Sequence, residues 1–189
     1  SHSGLTTSAV GKFGKAFYFD GFDDFVNIPH SSSLDITENI TISLWYNTSQ
    51  NPPQKTALIC KTKQHSNAFY EGGYGFTYWG TVLRFFVNDS NQNFAQSSTF
   101  PTDNQWHHIV GVFDGINLKI YMDNNPSSTT SSIQTFSSSL NNLYIGAGVD
   151  NSGVPDKFMN ATIDEVMIFN KTLNDSDVGM LYGLNLSNV

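Results

Sequence analysis

The densest group of chemically capable side chains lies between Gln64 and Phe86, where Tyr70, Glu71, Tyr74, Tyr78 and Trp79 are interleaved with Gly72, Gly73, Gly75 and Gly80. Aromatic rings offer a platform for the apolar face of a sugar ring, while carboxylates and amides read its hydroxyls. Asn88, with Asn67 and Asn93, could supply such hydrogen bonds. In an extended strand Tyr74, Phe76 and Tyr78 share one face and Trp79 points to the other, so they cannot all join one platform. Phe76 or Tyr78 could equally fill a core. Tyr70, Glu71, Tyr74, Tyr78, Trp79 and Asn88 are the candidate ligand-binding residues.

Groups suited to catalysis are sparse. The glutamates are Glu38, Glu71 and Glu165, and the adjacent Asp164 and Glu165 would face opposite sides of a strand. Cys60, the single cysteine, sits in the apolar run Ala57-Leu58-Ile59-Cys60 and reads as a small buried hydrophobe rather than a nucleophile. A disulfide within the chain is impossible, and no Cys/His zinc spacing exists. His107 and His108 alternate faces and cannot hold one ion by adjacency. No catalytic residue is assigned.

The elements that must carry these side chains read as strands. Residues 40–46 alternate strictly, with Ile40, Ile42 and Leu44 on one face and Thr41, Ser43 and Trp45 on the other. Further runs lie at 16–19, 25–28, 56–61, 75–79, 82–87, 106–113, 118–122, 143–146 and 161–169, giving about ten strands separated by turn signals. Gly80-Thr81 marks a two-residue hairpin. Only 174–184 has helical character, with Asp175 and Asp177 near its start and Val178, Leu181 and Tyr182 on one side. This spacing predicts an all-β, two-sheet antiparallel β-sandwich with a short C-terminal helix. Residues 1–10 read as an N-terminal extension or the edge of an excised piece, and 11–189 as one domain; a longer parent with other domains is expected.

With 189 residues, 39% of them hydrophobic and 14% aromatic, the chain can bury a core without disulfides. Charged residues are only 13%, below the usual quarter, and Ser, Thr and Asn supply the polar surface. A net charge of −7 with scattered basic residues excludes a nucleic-acid partner, while permitting a bound cation such as calcium. No apolar run approaches the ~18 residues of a membrane helix, so no membrane insertion is expected from this segment. Acceptor sequons at Asn39, Asn47, Asn88, Asn160, Asn170, Asn174 and Asn185 favour an extracellular or cell-surface location.

Several motifs occur in a recognisable order. They begin with Gly11-Lys-Phe-Gly14, Ala16-Phe-Tyr-Phe-Asp20-Gly21 and Asp24-Phe25-Val26-Asn27-Ile28-Pro29. Ile40-Thr-Ile-Ser-Leu-Trp45, Trp106-His107-His108-Ile-Val110, Phe113-Asp-Gly115 and Leu118-Lys-Ile-Tyr121-Met-Asp123 follow. Tyr144-Ile-Gly146, Ala161-Thr-Ile-Asp164-Glu-Val166 and Leu173 close the series. In this order the chain resembles the laminin-G-like, pentraxin-like modules of the concanavalin A-like lectin/glucanase superfamily.

The resemblance implies a jelly roll in which His108 is a buried hydrogen-bonding residue, and Trp45 and Trp106, read by themselves, pack the sandwich rather than stack on sugars. It implies a structural Ca2+ held by Asp164 with oxygens from the Asp20-Gly21 turn, Asp23 and Asp24 being secondary candidates. Asp20 and Asp24 could instead only shape the turn, and Asp164 could only cap a strand. Glycosidases of the superfamily carry a Glu-x-Asp-x-(x)-Glu cluster, which is missing here, so an enzyme is not expected. The expected function is carbohydrate binding, lectin-like, as part of a larger surface or secreted protein. The alternative is a structural or adhesion module contacting a cell-surface protein.

Overall fold

Both faces of residues 40–47 are buried, and the architecture follows from how each face is covered. The structure is a computed structural model that describes residues 2–3, 6–62, 72–87, 94–131, 137–150 and 152–183. Its strands are β1 (His2–Ser3), β2 (Thr6–Val10), β3 (Lys15–Asp20), β4 (Phe25–Ile28), β5 (Ile40–Asn47), β6 (Ala57–Lys61), β7 (Tyr74–Trp79) and β8 (Val82–Val87). They continue with β9 (Phe94–Gln96), β10 (Trp106–Phe113), β11 (Asn117–Met122), β12 (Asn125–Ser131), β13 (Leu143–Ile145), β14 (Ala147–Val149), β15 (Pro155–Phe158) and β16 (Asn160–Phe169). One helix, α1 (Asp175–Gly183), closes the described chain.

The strands form two antiparallel sheets. The first has the order β1-β4-β13-β6-β7-β8-β9 and the second β12-β11-β10-β5-β16-β3-β2, while β14 and β15 make a separate two-stranded arm. This is the expected two-sheet sandwich with a short C-terminal helix. Within the stretch read as an extension, His2–Ser3 and Thr6–Val10 supply edge pairings to the two sheets: His2 sits opposite Val26, and Val10 opposite Lys15.

Period-two alternation turns one face of every long strand inward. The first sheet contributes Phe76, Tyr78, Leu83 and Phe85 to the core, and the second contributes Ile40, Ile42, Leu44, Ile109 and Ile120. Where the two layers approach most closely a side chain is not tolerated. A Cβ on Gly111 of β10 would lie 2.3 Å from the Phe85 ring.

The outer face of the second sheet is also covered. Helix α1 lays Val178 against Val110, Val112, Tyr121 and Leu173, with Leu181 packed beside them. Its start is fixed by a reciprocal cap: Asn174 Oδ1 accepts the Asp177 N–H at 3.0 Å and Asp177 Oδ2 accepts the Asn174 N–H at 3.1 Å. Trp45 is buried between a loop and the helix, edge-on to Phe13, stacked on His108 at 4.8 Å and on Tyr182 at 5.6 Å, with Lys12 Nζ 4.1 Å from its ring centre. It is a packing residue, as its sequence position predicts.

On the outer face of the first sheet, the described residues form a cluster at one side. Here the β14–β15 arm places Val149 over Ala57, Cys60 and Tyr144, and Phe158 6.3 Å from Phe25. The face over β7, β8 and β9 lies beyond that cluster, and it carries the candidate site.

Candidate functional site

The two-residue hairpin at Gly80-Thr81 sets the register of β7 and β8, with Trp79 opposite Val82 and Thr77 opposite Arg84. Strand β9 adds Gln96 beside Arg84 and Phe94 beside Phe86. The outward positions are therefore Thr77, Trp79, Arg84, Phe86, Phe94 and Gln96, on three paired strands; Thr77 and Phe86 are buried, so Trp79, Arg84, Phe94 and Gln96 make the accessible part. The Arg84 guanidinium stacks between two rings, its carbon 4.6 Å from the Trp79 ring centre and 4.0 Å from that of Phe94. Lys55, at φ 67° in the turn before β6, puts its Nζ 5.5 Å from the same indole. An aromatic–cation surface on rigid strands, in a chain with only nine basic residues, is the most distinctive outward chemistry among the described residues.

Of the candidate ligand residues, Trp79 is the one placed on this surface. Tyr74 and Tyr78 point the other way and are 1% and 4% exposed. Their hydroxyls donate inside the fold, Tyr74 to the Leu34 carbonyl and Tyr78 to that of Gly80. Their expected ligand role is corrected on that ground: the alternation was right, but the face they share is the core face. Tyr70, Glu71 and Asn88 lie outside the described residues. Arg84, Lys55 and Phe94 were missed, although the hairpin signal at Gly80-Thr81 already fixes Arg84 diagonally across from Trp79.

The residues assigned to a cation fall into two places. Asp20, Asp23 and Asp24 each bring a carboxylate oxygen within 4.8 Å of the others. Asp24 Oδ2 accepts the Asp20 N–H at 3.0 Å, while its Oδ1 is buried and unpartnered. Burial pushes the Asp24 carboxyl above the ordinary range, and the charges of Asp20 and Asp23 add to that. A divalent cation answers all of these features, so the donor set fits calcium. Gly21 at the turn lies against Asn160, whose Nδ2 donates to the Asp20 carbonyl at 2.9 Å.

Asp164 does not join them. Asn160, not Asp164, is the β16 residue opposite Asp20, which puts Asp164 roughly 13 Å further along the strand. Both Asp164 oxygens are occupied, Oδ2 by the Phe13 N–H at 3.0 Å and Oδ1 by the Glu165 N–H at 2.9 Å. A Cβ on Gly11 would lie 2.6 Å from Oδ2, so the glycine lets that loop close on the carboxylate. Asp164 ties the loop before β3 to a bulge at which Glu165 has φ 49°.

The two histidines serve the fold in different ways. His108, 1% exposed, places Nε2 2.8 Å from the Ser43 hydroxyl, and burial lowers its pKa to about 4. Enclosed beneath Trp45 and Tyr182, this Ser–His pair has no access for a substrate. His107 sits between two carboxylates, Nδ1 2.7 Å from Asp123 and Nε2 3.0 Å from Asp103.

A family pattern described as the Concanavalin A-like lectin/glucanases superfamily matches residues 19–179. The chain belongs to that superfamily. No curated protein sequence matches it significantly. Among solved structures it is similar to the binding domain of Paraclostridial Mosquitocidal Protein 1, at TM-score 0.72 and 14% identity, covering 96% of this chain and 46% of that one. It is also similar to domain 4 of an extracellular arabinanase from Geobacillus stearothermophilus, determined in complex with arabinotriose, at TM-score 0.71 and 19% identity, covering 95% and 82%. The binding domain of botulinum neurotoxin DC, determined in complex with rat synaptotagmin II, matches at TM-score 0.70 and 15% identity, covering 96% and 45%. This superfamily member thus spans under half the length of the two toxin domains, and at such identities the likeness is one of fold.

Proposed function

We propose that this module is a non-catalytic, extracellular carbohydrate-binding domain that receives a glycan at the Gly80-Thr81 end of the outer face of its first sheet, with Trp79 as the stacking platform. The observation that carries the reading is the fixed Trp79–Arg84–Phe94 surface with Lys55 beside it. An indole held by flanking cations loses little conformational freedom on binding, and sugar C–H faces pack well on it. Gln96, exposed on β9 beside Arg84, is the polar neighbour on the same face. The arabinotriose bound to the arabinanase domain supports a saccharide as the ligand class.

A structural calcium belongs to the same reading. Asp20, Asp23 and Asp24 would hold it, and the ion would neutralise three crowded carboxylates where β3 ends. The aspartates used elsewhere as hydrogen-bond acceptors, Asp164 and Asp123 among them, fit a binding module better than a hydrolase.

A glycan array probed with and without chelator tests this function. Saturable binding to a defined oligosaccharide, lost in Trp79→Ala, is the expected result. A blank array together with self-association in solution would replace it by the adhesion reading.

A further inference from the structure

A second opening on the same sheet face lies at the other end of the strands. Ala57 of β6 is level with Thr77 and Lys61 with Tyr74, so residue 62 stands roughly 20 Å from the level of Trp79. Here Thr62, Asn141, Asn142 and Ser152 wall a cleft of about 280 Å³ whose apolar lining is Leu140, Tyr144 and Val149. That is the size of one sugar ring rather than a drug-sized ligand. No charged side chain lines it among the described residues.

The walls are fixed from beneath. Lys61 is fully buried, and its ammonium donates to the carbonyls of Ser139 and, at 3.0 Å, Asn141, with the Asp35 carboxylate at 3.4 Å. Two accepting carbonyls and an ion-paired carboxylate compensate the buried ammonium, and here they pin a loop that has no strand pairing of its own. Asn141 Nδ2 donates to the Ser139 hydroxyl at 2.6 Å and Asn142 Oδ1 accepts the His30 N–H at 3.0 Å. Across the cleft, Asp150 Oδ1 accepts the N–H groups of Ser152 and Val154 at 2.8 and 2.9 Å. These bonds leave the Asn142 amide as donor and the Asn141 amide oxygen as acceptor, a pair suited to hydroxyls that both give and take hydrogen bonds.

We propose that this cleft is a second saccharide subsite, selective for a single uncharged sugar residue and independent of the Trp79 platform. It rests on the glycan-binding reading for its ligand class only. The two sites differ in chemistry: cations flank the indole, whereas neutral amides and hydroxyls wall the cleft.

The test is an amide-shift titration of the whole domain with a panel of neutral disaccharides, on wild type, Trp79→Ala, Asn142→Asp and Ser152→Phe. Asn142→Asp keeps the acceptor for His30 but exchanges the donor for a charged acceptor in a cleft read as neutral; Ser152 is exposed, so phenylalanine there fills the cleft from its rim. Saturable shifts at the amides of Asn141, Asn142 and Ser152 are expected in wild type and in Trp79→Ala. They should weaken about tenfold in Asn142→Asp, the loss of one donated hydrogen bond, and vanish in Ser152→Phe. No shift with any disaccharide, or shifts indifferent to both cleft variants, would overturn the subsite. Array binding lost only in Trp79→Ala would then leave the platform standing alone.

Discussion

His107 is gripped from both sides by Asp123 and Asp103, an arrangement that needs both ring nitrogens to carry protons. Burial works against its charge, but the hydrogen bonds to Asp123 and Asp103 outweigh it and raise the pKa. A raised folded-state pKa stabilises fully below the unfolded value of about 6.5, and that stabilisation is lost as the pH climbs through the folded value. Wild type should therefore melt above His107→Gln in acid, with the gap closing at higher pH. His108 has the opposite sign: its depressed pKa gives stability that is present above about pH 6.5 and lost as the pH falls towards about 4, on the order of 3 kcal/mol in all. Melting of the His107→Gln protein should consequently drop through that interval. A flat profile in both proteins would contradict the assignment of both rings. Residue-level chemistry was only half legible in the sequence. That Tyr74 and Tyr78 share a face, opposite to Trp79, follows from period-two geometry. Which face is the core does not, because it depends on what packs above each sheet.

At the scale of elements, the long alternating strands β5 and β10 were readable because eight consecutive residues repeat one pattern. Strands β9, β14 and β15 were not, since three or four residues carry too few alternations to stand out, and β12 is a Ser/Thr run with no apolar face. Asp164 likewise had a readable place on a strand but not a readable partner, because its contact with Phe13 joins residues 151 apart. Packing between the elements makes definite demands. Gly111→Ala places a methyl group against the Phe85 ring and should cost ~1–3 kcal/mol, seen as a lower denaturant midpoint at unchanged slope. Asn174→Ala removes the cap of α1 and should cost ~1 kcal/mol. Equal stability of either variant would mean that the contact described is not formed.

For the molecule as a whole, the expectations concern what it binds and where it works. If the Asp20–Asp24 turn holds calcium, millimolar calcium raises the melting temperature, chelator lowers it, and Asp24→Asn removes the difference. An unchanged melt in chelator would exclude the ion. Passage through a glycosylating secretory pathway should modify the exposed Asn39, Asn170 and Asn174. It should spare Asn47 and Asn160, whose Nδ2 groups donate to the carbonyls of Asn104 and Asp20; glycopeptide mass spectrometry reads this directly. No helix among the described residues is long and apolar enough to cross a membrane. The most direct measurement of the central claim is a calorimetric titration of wild type and Trp79→Ala with the oligosaccharide selected on the array. Trp79 packs only at the surface, so the variant should keep its melting temperature while binding at least about tenfold more weakly. Equal affinities in the two proteins would contradict a glycan site on this face.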